Sequence, residues 1–176
     1  MRRRRDTPRE ARARSRAEGR GGTERGTTQP VASRRTETWC ARSLSPGAGQ
    51  LNAAYVDTSC LVAIAFGETG ATALARRLQT FDLLLSANLL EAELLAAFAR
   101  EGVPASAEFV ATITWVLPDR PLSREIEQVL RAGYLRGADL WHLACAIHVA
   151  SKSRDLAFLT RDRRQAEVAR QLGFAS

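Results

Sequence analysis

Four acids stand in apolar surroundings, where a carboxylate has no packing purpose. Asp57 ends the run Ala53-Ala54-Tyr55-Val56, and Glu93 lies among Leu89, Leu90, Ala92, Leu94 and Leu95. Asp139 opens the stretch Leu140-Trp141-His142-Leu143, and Asp162 follows Leu156-Ala157-Phe158-Leu159-Thr160. Four carboxylates brought together repel one another strongly and call for compensation. A hard divalent cation that prefers oxygen, Mg²⁺ or Mn²⁺, suits such a set, whereas Zn²⁺ would call for His or Cys ligands. Plainer readings stand beside this one. Asp57 is also a good helix cap, and Asp139 complements a helix dipole. His142, one turn beyond Asp139, reads as a hydrogen-bonded core histidine in preference to a ligand.

The elements that must carry these acids follow from periodicity. Residues 53–56 predict a buried strand and residues 59–66 a helix capped by Thr58 or Ser59, which puts Asp57 at a strand-to-helix junction. Ligands collect beyond the carboxyl ends of strands in open α/β sheets. Residues 69–80 carry Ala71, Leu74, Ala75 and Leu78 at helical spacing. Residues 81–86 predict a second strand, buried on both faces. Residues 88–100, capped by Ser86 or Asn88 and closed by Gly102 and Pro104, predict a helix apolar nearly all round and therefore largely enclosed. It contains both Glu91 and Glu93, which lie about 200° apart and cannot face one site. Solvent and the helix dipole can stabilise Glu91. Glu93, one turn from Leu89, Leu90, Ala96 and Ala97, needs a positive partner, and this leans the choice toward Glu93. Residues 105–113 predict a helix and 115–117 a third strand stopped by Pro118. A capped helix over 123–136, with Ile126, Val129, Leu130 and Tyr134 on its apolar side, ends at Gly137. Residues 139–147 predict another helix, 156–160 a strand, and 163–172 a basic amphipathic helix stopped by Gly173.

Charge is distributed unevenly. Of the net +7, residues 1–50 hold 13 arginines against 5 acids, which is +8, and residues 51–176 hold 13 Lys or Arg against 14 acids, which is −1. The high isoelectric point thus describes the first segment and gives no ground for a general nucleic-acid sponge in the second. Residues 1–50 have too few large apolar side chains to offset their ordering entropy and are expected to be a disordered basic tail. An electrostatic arm for RNA or DNA and a start codon placed too far upstream are the competing accounts of it. Cys40, Cys60 and Cys145 lack metal-ligand spacing and read as thiols of a reducing compartment. No apolar run is long enough for a membrane span, and none follows the Arg-rich start as a signal segment would require. The expected location is cytoplasmic.

Residues 54–174 resemble a PIN domain of the VapC type, the toxin half of a type II toxin-antitoxin pair. The resemblance rests on Tyr55-Val56-Asp57-Thr58-Ser59, Leu90-Glu91-Ala92-Glu93-Leu94-Leu95, Leu135-Arg136-Gly137-Ala138-Asp139-Leu140-Trp141-His142-Leu143-Ala144 and Leu159-Thr160-Arg161-Asp162-Arg163-Arg164, with Gly173 beyond. It assigns the family's acids to Asp57, Glu93, Asp139 and Asp162, the glutamate by its place before Leu94-Leu95. Ser59 and Thr160 match hydroxyl positions near the metal. The implied architecture is α/β, a three-layer α/β/α domain over 51–176 with a short parallel sheet.

The implied activity is that of a Mg²⁺- or Mn²⁺-dependent endoribonuclease, in which one or two ions activate a water for in-line attack on an RNA phosphodiester. Ala96 stands where the family often has Arg, and the last strand is cut to Phe174-Ala175-Ser176. The implied partners are RNA, a cognate antitoxin and a second copy in a homodimer. Leu61, Val62, Ile64, Phe66, Leu89, Leu90, Leu94, Leu95 and Phe98 are more than one small sheet can cover, unless they are ordinary core. They predict a groove between the helices over 59–66 and 88–98 for an amphipathic antitoxin segment, with an Arg or Lys reaching toward Asp57 and Asp139. Two rival classes are a catalytically idle PIN-like module that binds nucleic acid or regulates, and a nucleotide binder of Rossmann type. The second fits less well, because no Gly-rich loop follows the first strand.

Overall fold

The computed structural model of the protein describes residues 52–150 and 152–175. The tail over 1–50, with its expected disorder and Cys40, lies outside the described residues. Ala53–Val56 (β1), Leu83–Ala87 (β2), Ile113–Val116 (β3) and Ala157–Leu159 (β4) pair in parallel in the order β3-β2-β1-β4. Tyr55 stands opposite Leu85 on one side and Phe158 on the other, and its ring stacks on that of Phe158. The helices are Thr58–Ala65 (α1), Ala71–Leu78 (α2), Leu89–Glu101 (α3), Ser123–Ala132 (α4), Gly137–Val149 (α5) and Arg163–Gln171 (α6).

Strand alternation sorts the core into two layers. Ala54 and Val56 pack with Cys60, Leu61, Leu90, Leu94 and Phe98, so α1 and α3 cover one face of the sheet. Ala53 and Tyr55 pack with Val129, Leu143, Cys145 and Val168, so α4, α5 and α6 cover the other. The result is the expected three-layer α/β/α arrangement. Leu90, Val129 and Leu143 are fully buried, and each contributes about 1.5–3 kcal/mol of apolar burial. At the outer edge of β4 there is one parallel bridge, Ala157 to Ala175, with Phe158 N–H donating to the Ala175 carbonyl at 2.8 Å.

Four expectations need correction. Residues 105–113 do not form an α-helix; only a 3-10 turn, Ala107–Val110, precedes β3, and β3 begins at Ile113 where a helix was expected. Helix α4 ends at Ala132 and not near Arg136, because Gly133 leaves the helix with extended backbone. A Cβ at Gly133 would lie 2.8 Å from Val168 Cγ2, so α6 passes too close for any side chain there. Consequently Tyr134 is exposed, as is Leu130, and the buried positions of α4 are Glu125 and Val129. Finally, α3 is not enclosed: Leu90, Leu94, Ala97 and Phe98 face inward while Ala92, Leu95, Ala96 and Ala99 are exposed.

Candidate active site

The chain leaves β1 toward β2 and β3, then returns to place β4 on the opposite side of β1. The carboxyl ends of β1 and β4 therefore flank the point where strand order reverses, the usual place for a ligand in an open parallel sheet. Asp57 leaves β1 there and Asp162 follows β4. The Asp57 N–H donates to the Leu159 carbonyl at 2.9 Å and joins the two strand ends.

Asp57 is buried, and its carboxylate is held by neutral donors. Oδ2 accepts from the Ser59 N–H at 3.0 Å, Ser59 Oγ at 2.6 Å and Thr160 Oγ1 at 3.2 Å. Oδ1 accepts from Gln165 Nε2 at 3.1 Å. Asp57 is thus the N-cap of α1, a role expected of Thr58 or Ser59. Capping and site placement coincide in this residue: Oδ2 serves the helix start, and Oδ1 is turned to α6. Ser59 Oγ and Thr160 Oγ1 also accept from the N–H groups of Arg161 and Asp162, at 2.9 and 3.1 Å. The two hydroxyls tie Asp57 to the backbone beyond β4. Asp162 caps α6 through Oδ1, which accepts from the Gln165 N–H at 2.7 Å.

Glu93 comes from the second turn of α3 and Glu91 points to solvent. A Glu93 oxygen accepts from Thr58 Oγ1 and lies 3.0 Å from His142 Nε2. The tautomer follows from the groups behind the ring. Tyr55 Oη accepts from the Ala87 N–H at 2.9 Å and lies 3.0 Å from His142 Nδ1, so it donates to Nδ1. Nε2 then carries the proton and donates to Glu93. The partners that Glu93 needs are therefore the His142 ring and a hydroxyl. Burial pushes the Glu93 carboxyl up, but hydrogen bonds from His142 and Thr58 outweigh it and hold the group below the usual range. His142 is the buried, hydrogen-bonded histidine expected, and its Nε2 also lies 4.0 Å from Asp57 Oδ1.

Asp139 lies in the first turn of α5. Burial pushes its carboxyl up, and Asp57, Asp162 and Glu93 add to the rise. The four predicted acids therefore share one electrostatic field. Among the described residues no Lys or Arg forms an ion pair with any of them. Their donor atoms are all hard carboxylate oxygens and fit a hard divalent cation in chemistry. In spacing, no group of three or more His, Cys, Asp or Glu among the described residues is close enough to ligate one ion.

Sequence reasoning passed over Thr58, Tyr55 and Gln165. Thr58 and Tyr55 stand beside Asp57 in the chain and could have been found by that adjacency. Gln165 lies three residues beyond Asp162, where a first-turn side chain of α6 faces the same end of the sheet, but its polarity hid it among basic neighbours. A profile of the PIN domain matches residues 54–171 of the chain. No curated protein and no solved structure matches it.

Proposed function

The chain belongs to the PIN domain family, whose members are generally metal-dependent nucleases, and from that premise we propose that the protein is an endoribonuclease using Mg²⁺ or Mn²⁺. What supports the reading is that Asp57, Asp162 and Glu93, from two strand ends and a helix, all act on the Asp139 carboxyl, and that no Lys or Arg is ion-paired to any of the four among the described residues. Asp57, Glu93, Asp139 and Asp162 would hold the ion. When bound, it would supply activation of a water and stabilise charge on the phosphate and the leaving oxygen. The protein's part is orientation. Ser59 and Thr160 hold Oδ2 of Asp57, and His142 and Thr58 hold Glu93, so that each carboxylate is oriented before a cation arrives, and binding one ion would draw the acids closer together.

The same reading makes the protein the toxin of a type II toxin-antitoxin module, acting in the cytoplasm as a homodimer with an antitoxin partner. The free thiols of Cys60 and Cys145, both buried and pushed up to about 12 chiefly by burial, suit a reducing compartment. Among the described residues no helix is long and apolar enough to cross a membrane. The groove expected between α1 and α3 is filled, because Leu61, Leu90, Leu94 and Phe98 are buried against one another. A cleft of about 480 Å³ opens instead between α1, α2 and the edge near β3, lined by Leu61, Ile64, Leu78, Phe81, Phe109 and Ile113. It offers an apolar seat for an antitoxin segment, and the exposed Leu95 and Val103 offer one for a second copy.

A second reading, an idle nucleic-acid-binding module, is favoured by the wide spacing of the acids. Incubation with a panel of tRNA and rRNA, with and without Mg²⁺ or Mn²⁺, separates the two. Cleavage that appears only with the ion is the expected result; RNA binding without cleavage under every ion would leave the idle module.

A further inference from the structure

Gln165 has no exposed surface, although it belongs to a helix in which four of nine residues are charged. Its side chain touches two of the acid-bearing residues and its backbone a third. Nε2 donates to Asp57 Oδ1 at 3.1 Å and to the Asp139 carbonyl at 3.3 Å, and the N–H donates to Asp162 Oδ1 at 2.7 Å. Exchanging the amide nitrogen and oxygen would set Oε1 against two acceptors, so the orientation is determined by its neighbours. In that orientation Oε1 is buried without a hydrogen-bond partner, the one such side-chain atom among the described residues. Packing alone would be served by an apolar side chain of equal length, with no orphaned oxygen.

We propose that Gln165 is a positioning residue of the acidic site. Its Nε2 fixes Asp57 against the main chain of Asp139 with a donor that carries no charge, and its Oε1 receives a site water. A lysine could hold Asp57 equally well but would cancel the charge the site needs. A methionine would keep the volume and hold nothing. The geometry stands by itself, while the consequence for cation binding rests on the nuclease reading.

Two measurements on the full chain test this. In the ¹⁵N spectrum of the metal-free protein, the side-chain amide pair missing from Gln165→Met identifies Gln165. Both protons are expected to exchange slowly with solvent and to shift on Asp57→Asn. Exchange at the rate of surface glutamines, or no shift, overturns the proposal whether or not the protein binds metal. The second measurement is Mn²⁺ affinity by electron paramagnetic resonance. Gln165→Met is expected to weaken it on the order of tenfold, as loss of a group that orients a ligand does, and Gln165→Lys by more, with circular dichroism showing both folded. Wild-type affinity in either variant overturns the proposal. If Gln165→Met does not fold, Gln165→Lys, which keeps a donor to Asp57, carries the affinity test. Absence of Mn²⁺ binding by the wild type would count against the nuclease reading, and the amide resonances would still decide whether Gln165 holds Asp57.

Discussion

Asp57 and Glu125 are both buried acids, 5% and 8% exposed, and their surroundings differ in kind. Glu125, in the first turn of α4, meets the guanidinium of Arg120 through both carboxylate oxygens, with His148 Nδ1 3.5 Å from the same Arg120 nitrogen. The hydrogen bond from Arg120 holds the Glu125 carboxyl below the usual range. Asp57 is hydrogen-bonded to two hydroxyls, one side-chain amide and a peptide N–H, with the His142 ring 4.0 Å away and no guanidinium. In both places burial of a carboxylate is offset by donors. Around Glu125 the charge is also cancelled, so the pair can do no more than pin the segment before α4 to the helix. Around Asp57 the charge is oriented and left intact, and three further acids add to it. Neutral donors thus orient the Asp57 carboxylate and leave its charge intact, whereas the guanidinium cancels that of Glu125.

The contrast has measurable consequences. Asp57→Asn is expected to reduce metal-dependent RNA cleavage by about a hundredfold or more, the scale of losing an electrostatic contact at a reacting centre. The metal-free melting temperature should hold or rise, because one repelling charge is gone. A variant that melts much lower would mean that the hydrogen bonds accepted by Asp57 outweigh its repulsion from the other acids.

Tyr55→Phe leaves the Ala87 N–H and His142 Nδ1 without their partner deep in the core. It should cost about 1–3 kcal/mol in urea unfolding, with a smaller loss of cleavage than Asp57→Asn. Equal stability of the variant would show that the line from Tyr55 through His142 to Glu93 contributes nothing to the fold.

The two acidic regions should answer pH with opposite sign. The Asp139 carboxyl is raised above 3.8, chiefly by burial and then by its acid neighbours, so metal-free stability is lost as pH rises through its folded-state value. Asp139→Asn should therefore melt a few degrees higher than wild type at neutral pH, with the gain vanishing in acid below the ordinary value. The Glu125 carboxyl is lowered from 4.5, so its contribution is present above that value and lost as pH falls through the folded-state one. Glu125→Gln should melt a few degrees lower at neutral pH, with the deficit shrinking in acid and cleavage unchanged. Thermal scans across pH check both; two shifts of the same sign would undo the distinction between oriented and cancelled charge.

Glu91→Gln should change neither melting temperature nor cleavage, since Glu91 is exposed and lies two residues from Glu93 on another side of α3. Glu93→Gln should lose cleavage. A dead Glu91→Gln protein beside an active Glu93→Gln one would reverse the assignment.

What the sequence by itself determined is most of the local layer: the strands and helices other than the stretch 105–113, and that Asp57 and Asp162 stand at strand ends. Short apolar runs, Gly102 and Gly173 carry that information within a few residues, and the order of the four motifs carried the family. Local patterns failed where a neighbour distant in sequence decided the outcome. Helix α4 stops at Gly133, where α6 lies too close for a side chain. One side of α3 is exposed because the sheet covers only the other, and a composition apolar all round cannot say which. The donors that orient the acids are the extreme case. Tyr55 and His142 are 87 residues apart, and Gln165 and Asp57 are 108. Periodicity reports whether a side chain is buried. Which group it meets depends on strand register and on the seating of helices across the sheet, to within an ångström, and only the tertiary structure decides that.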